Sequence, residues 1–495
     1  MIEPSGPAGS RPNRQAGTPA LVRRWHFASS GRPCYKAPMQ AVLDYLKQNQ
    51  PRFIQELSDY VRFPSVSAKT EHKQDLAACA EWLLQQHARA GLSARLFPTA
   101  GNPILVSQTP SRNSSPRPRF LIYGHYDVQP PEPLELWKSP PFEPRLAGRS
   151  LFARGASDNK GQNFAHLKAV EAYLKTGTEL PCDLTFLIEG EEEVGCTNLG
   201  TFLRQHRQEL RCDAVVISDS GMPDLRHPAL TYGLRGIAAL EVTVHGPSRD
   251  LHSGLYGGSI DNPAMALSQM LAKLRESTGR IAVPGFYDDV APLSAFECKQ
   301  LARLPFNQTA YRQFVGVPRL FGERGFTPVE QRSARPTLEI NGLTSGYQGE
   351  GSKTIVPAWA RAKITMRLVP NQKPGRITRL LANHLKKICP PTVRSEIKSG
   401  HGGEPYMVSP ASAEARAALR ALKAAFGHEP VLLREGGSIP IVNDFKRILG
   451  ADTLLLGLAL PDDNPHSPNE KFDLDCFAKG MLMSAHLWRE LARAN

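Results

Sequence analysis

The 495-residue chain has no pair of cysteines at CxxC spacing: its eight stand singly, at 34, 79, 182, 196, 212, 298, 389 and 476. Neither a zinc knuckle nor a disulfide framework is indicated by that spacing, and a reducing, cytoplasmic setting is expected. Long apolar runs are missing as well. The stretch "TLLLGLAL" at 453–460 falls far short of the roughly 20 residues that a membrane-spanning helix needs, so no membrane partner is expected. Also absent is any run of lysine and arginine interleaved with aromatics. The formal charge is +13, but residues 1–38 hold six Lys/Arg against one Glu and contribute +5, leaving +8 for the rest. That excess suits solubility and attraction of anionic ligands, and no nucleic-acid partner is expected.

Residues 1–38 are rich in Pro, Gly, Ser and Arg and lack hydrophobic periodicity, which predicts a disordered extension. The Arg23-Arg24 pair is followed by no apolar stretch, so it does not read as an export signal. An organelle transit peptide would explain the acid-poor, arginine-rich start better, and a dispensable extension or an upstream start is the favoured reading. From Met39, "MQAVLDYLKQNQPRFIQELSDYV" reads as the first helix. At this length and 41% hydrophobic residues, the chain implies two domains or one domain with a large insert.

What is present is a repeated device: a short apolar run of strand type ends and acidic residues or histidine follow. "LIYGHYDVQP" (121–130) delivers His125 and Asp127, and "LTFLIEGEEEVG" (184–195) delivers Glu189, Glu191, Glu192 and Glu193. "AVVISDSG" (214–221) delivers Asp219, and "TLLLGLALPDDNPHSPNE" (453–470) delivers His466 after a loop. Continuous apolar character suits strands buried on both faces, and ligands of open α/β sheets bind beyond the carboxyl ends of such strands. Between the first two runs, "GASDNKG" places Asp158 near a helix start, where alone it would be an ordinary N-cap.

His125, Asp127, Asp158, Glu192, Glu193, Asp219 and His466 thus converge. So many carboxylates in one crevice repel unless cations compensate them. Two divalent ions resolve the conflict. Nitrogen and carboxylate donors suit zinc, with manganese or cobalt as alternatives, and the inference is a two-metal hydrolytic centre.

The segments "GHYDVQP", "GASDNKG", "EGEEEVG", "SDS" with "YGLRG", "RDLHSG" and "NPHSPNE", in this order, resemble the M20 family of metallopeptidases over about 39–490. "LHSGLYGG", "MRLVPNQ" and "REGGSIP" are most similar to its cytosolic dipeptidase and carnosinase branch. The resemblance implies that His125, Asp158 and Asp219 hold one metal and Asp158, Glu193 and His466 the other, with Asp158 as the bridge. It makes Glu192 the general base. Glu191 competes for that role by register, but the family's Glu-Glu-x-Gly spacing selects Glu192 and Glu193. Asp127 would orient the His125 ring through its other nitrogen.

After "YGLRG" the pattern turns to alternation, in "ALEVTVHG" and "RAKITMRLV", with an amphipathic helix "NPAMALSQMLAKLRE" between. This resembles the family's inserted α+β lid and dimerisation domain. The expected plan is an α/β fold with a mostly parallel sheet and helices on both faces. It comprises catalytic segments 39–235 and 402–495 around a lid at 236–401. Arg367 alternates onto the polar face with Arg361 and Lys363. By resemblance it binds the substrate carboxylate, with Gly437 and Ser438 adding contacts, and His252 donates to the oxyanion in the partner subunit of a homodimer. The implied activity is two-metal hydrolysis of dipeptides; the alternative is an N-acyl amino acid amidohydrolase of the same fold.

Overall fold

Pro51 divides the first amphipathic stretch in two. With no N–H to donate, it cannot continue a helix from the preceding turn, and the chain forms α1 (Lys36–Gln48) and α2 (Gln50–Val61) instead of one helix. The structure is a computed structural model that describes residues 36–110, 117–437, 439 and 441–494. Residues 1–35 of the expected 1–38 extension, and Ser438, lie outside the described residues. α1 begins inside that extension: Pro38 falls in the first turn of the helix, where a missing N–H costs nothing.

The large sheet is built from β1 (Ser93–Phe97), β2 (Ile104–Gln108), β3 (Arg119–His125), β4 (Asp183–Glu189), β5 (Ala214–Ile217) and β6 (Ala229–Leu234). The smaller sheet interrupts it with β7 (Gly236–His245), β8 (Thr337–Ser345), β9 (Trp359–Leu368) and β10 (Arg394–Gly403). The chain then returns as β11 (Tyr406–Met407), β12 (Val431–Glu435) and β13 (Asp452–Gly457). The large sheet runs β1-β2-β4-β3-β5-β13-β6-β11, with β12 beside β6. Its centre, β4-β3-β5-β13, is parallel throughout, so the four apolar runs do end along one edge. Antiparallel pairs flank it.

Alternation along β3 sends Phe120 to one face, against Trp488 of the last helix, and Tyr123 to the other, against Phe445. Helices therefore cover both faces, as the unbroken apolar character of the strands requires. Phe120, Tyr123, Phe445 and Trp488 are all at most 1% exposed, and burial of each such side chain contributes about 1.5–3 kcal/mol.

The smaller sheet is antiparallel, ordered β8-β9-β7-β10, and has its own apolar core. Ala360, Ala362, Ile364 and Met366 of β9 point into it, while Arg361, Lys363 and Arg367 occupy the other face, as alternation predicts. Chain crossings between the layers lie side by side: Leu234 pairs with Tyr406, and Ile237 with Gly403. A Cβ on Gly236 would stand 2.6 Å from both the Gly403 carbonyl and the Pro405 nitrogen, so only glycine permits this approach.

Candidate metal centre

The carboxyl ends of β3, β4 and β5 bring His125, the Glu192–Val194 turn and Asp219 to one crevice, and the loop after β13 adds His466. Two groups of side chains can each surround a cation: His125, Asp158 and Asp219, and Asp158, Glu193 and His466. Asp158 belongs to both. Its Oδ1 lies 3.3 Å from His125 Nε2 and its Oδ2 2.9 Å from His466 Nε2. Asp219 Oδ2 is 3.7 Å from His125 Nε2, and Glu193 Oε2 is 3.3 Å from His466 Nε2.

The donors fit divalent cations. His125 Nε2 is buried and makes no hydrogen bond, an arrangement that a metal bond would satisfy. The charges say the same. Burial opposes a charged His125 ring, yet the neighbouring carboxylates of Asp127, Asp158 and Asp219 hold its pKa well above the usual imidazole value. Hydrogen bonds to Asp158 and Glu193 push His466 up to about 10. Burial raises Glu193 and Asp219, with the charge of Asp158 adding to each. Asp158, despite its burial, is held below the ordinary carboxylate range by the two histidines. The carboxylates that raise these two imidazoles would equally attract a divalent cation.

Glu192 belongs to neither group. Burial pushes its carboxyl well above the carboxylate range; His125 opposes this and Asp219, Asp158 and Glu193 reinforce it. Asp127 meets the His125 ring mainly through its backbone: Nδ1 lies 3.0 Å from the Asp127 carbonyl oxygen and 3.4 Å from its carboxylate. The fully buried carboxylate does something else as well. It accepts the N–H groups of Glu192 at 3.2 Å and Glu193 at 3.1 Å, one on each oxygen, and so fixes the turn that separates these two side chains.

Beside the centre opens a cavity of about 640 Å³ whose lining includes Asp158, Asp219, Arg235, Glu435 and Gly437. Arg367 is not among the lining residues. It is half-buried on the polar face of β9, close enough to Arg235 that, after burial, its charge helps to lower Arg235 to about 10. His252 is exposed, in a two-residue ribbon with Ile355, and is likewise not in the lining.

Several contributors were not singled out from the sequence. Gln129 donates to Glu193 Oε2 at 2.8 Å, and Asn159 donates to Asp219 Oδ1 at 2.9 Å. Glu470 holds the loop of Asp158: it accepts the N–H groups of Gly155, Ser157 and Asp158 at 2.9, 3.0 and 3.1 Å, and Arg154 Nη1 at 2.7 Å. All three stand inside the motifs that carry the candidate ligands, one to four residues from one of them. That adjacency was the available signal.

An α/β sheet whose parallel strand ends gather two histidines and a set of carboxylates around two cation positions defines a metallohydrolase of the two-metal exopeptidase type. The sequence matches peptidase family M20/M25/M40 over residues 121–490, and the chain belongs to that family of metallopeptidases. It is 30% identical to the Cys-Gly metallodipeptidase dug1 of Schizosaccharomyces pombe, over 92% of this chain and 99% of that one. It is also 30% identical to the human Beta-Ala-His dipeptidase, over 96% of each. The solved M20 family metallo-carboxypeptidase Sso-CP2 of Sulfolobus solfataricus superposes with a TM-score of 0.79 at 30% identity, covering 89% of this chain and 99% of that one.

Proposed function

We propose that the chain is a two-metal dipeptidase with Glu192 as general base. The observation that carries this reading is Asp158 shared between two ligand groups, with Glu192 half-buried beside both and part of neither. Divalent cations, zinc first and manganese or cobalt as alternatives, supply Lewis-acid chemistry there: polarisation of the scissile carbonyl and a lowered pKa for the attacking water. Glu192 takes the proton of that water on a carboxylate oxygen and delivers it to the nitrogen of the leaving amine. The Asp127 clamp keeps Glu192 and Glu193 in separate roles.

Arg367 captures the terminal carboxylate, which a guanidinium fork suits, and Gly437 and Ser438 add contacts to that carboxylate. His252 donates to the developing oxyanion of a second copy across a homodimer formed by the smaller sheet. Leu255, 75% exposed, and Leu343, 59% exposed, supply apolar surface on that layer in support of the interface. The described cysteines are all free, which supports a reducing, cytoplasmic compartment, and no described helix is long and apolar enough to cross a membrane.

The test is a panel of free dipeptides against N-acetyl and N-succinyl amino acids on metal-reconstituted protein. Dipeptides are expected to turn over at least about tenfold better. The reverse order would make the protein a deacylase.

A further inference from the structure

We propose that Glu435 is the anchor for the free amino group of the substrate, an inference that rests on the dipeptidase reading above. Glu435 closes β12, and the parallel pairing of β12 with β6 brings it to the rim of the cavity that Asp158 and Asp219 also line. Its Oε1 accepts the Gly221 N–H at 3.2 Å. Among the described residues it makes no ion pair: Arg332, whose charge does reach it, lies over the Tyr311 ring at 5.5 Å, and two other arginines near the cavity are engaged elsewhere. Arg434 pairs with Glu297 at 3.0 Å, and Arg235 donates to the carbonyl oxygens of Gly436 and Arg335.

A carboxylate in that position is costly without a purpose. Burial, with the charge of Asp219 adding to it, pushes Glu435 up to about 7 against the pull of the Gly221 N–H and of the Arg332 charge. Accepting one N–H needs no charge; an amide would serve. A cationic ligand is what makes the charge favourable. The geometry of a peptide supplies one. The amino nitrogen of the first residue lies only about 2.5 Å from the carbonyl carbon under attack, two bonds away. When that carbon sits at the metal centre, the ammonium must sit at the adjoining wall. Asp158 and Asp219 there belong to the ligand groups, and Glu192 is committed to the proton, which leaves Glu435.

Ala-Gly and propionyl-Gly differ only in the amine, so the ratio of their kcat/KM values on the metal-loaded protein isolates this contact. Glu435→Gln keeps the acceptor for Gly221 and loses the charge. It is expected to shrink the Ala-Gly to propionyl-Gly ratio roughly 10- to 150-fold, the value of a hydrogen bond to a charged group, and Glu435→Asp to recover part of it. An equal fall for both substrates, leaving the ratio intact, would assign Glu435 a structural role and overturn the proposal. Calorimetry with L-alaninamide gives a readout independent of turnover, with binding weakened by a similar factor in the Gln variant. If the wild type cleaves no dipeptide, the dipeptidase reading fails and calorimetry alone decides. Alaninamide binding that is absent from the wild type, or indifferent to Glu435→Gln, then defeats the amine site.

Discussion

Glu470→Gln should be among the most damaging single-atom exchanges in the protein, although Glu470 belongs to neither ligand group. Its carboxylate and the Arg154 guanidinium are each 1% exposed and 2.7 Å apart. Oε2 serves Arg154 and Gly155, and Oε1 serves Ser157 and Asp158. An amide can be turned either way, but each way replaces one acceptor oxygen by an NH2 that faces two donors. Arg154 meanwhile keeps its charge and loses its counter-charge. Hydrogen bonds to charged groups contribute about 1.5–3 kcal/mol each, and breaking a buried pair from one side costs about 3–5 kcal/mol. These overlap, since the Arg154 bond is counted in both, so the expected loss is about 3–5 kcal/mol. Urea unfolding of metal-free protein, followed by the fluorescence of the buried Trp488, measures it without the mass-action contribution of bound cations. Arg154→Met should cost a comparable amount, and the double variant less than the sum, because the two residues share one interaction. A loss below about 1 kcal/mol for Glu470→Gln at unchanged m-value would refute the reasoning.

Glu192→Gln should lower kcat about 10²- to 10⁴-fold while elemental analysis still finds two metals per chain; near-normal turnover would remove Glu192 as the base. Asp158→Ala should reduce occupancy at both positions, and full occupancy by the same analysis would dismiss the bridge. Mixing inactive His252→Ala and Glu192→Gln homodimers should restore roughly a quarter of wild-type activity, because random exchange makes about half the dimers mixed and each carries one complete site. If exchange is verified by mass and no activity returns, His252 does not act across the dimer.

The centre was legible because its parts obey a local rule: each ligand follows an apolar strand or opens a helix, and parallel strands share their carboxyl edge. His125, Asp158, Glu193, Asp219 and His466 fall into the two expected groups for that reason. The alternation that puts Arg367 opposite Met366 was equally local. What escaped depends on contacts across the chain. The place of Glu470 four residues after His466 marks it as near the site but does not announce that it will hold a loop 312 residues away, and nothing near Arg235 announces that it, rather than Arg367, will line the cavity. The break at Asn49 was legible in Pro51, but the hydrophobic period ran through it and outweighed the proline. Asp127 was expected to act on the imidazole, whereas its carboxylate also takes two backbone N–H groups from a turn 65 and 66 residues on.

The side-by-side crossings at Leu234–Gly236 and Gly403–Tyr406 make the smaller layer a lever with a fixed fulcrum. Any tilt must pivot on this paired ribbon, where Gly236 leaves no room for a side chain to wedge it open. Arg235 sits at the pivot, tied by its guanidinium to Gly436, and travels least. His252 follows the far end of β7, beyond His245, and travels most. A tilt about this ribbon would leave the Arg235 side of the cavity nearly still while it carried the histidine through a wider arc, and the Glu297–Arg434 pair is one of the contacts such a swing would have to release.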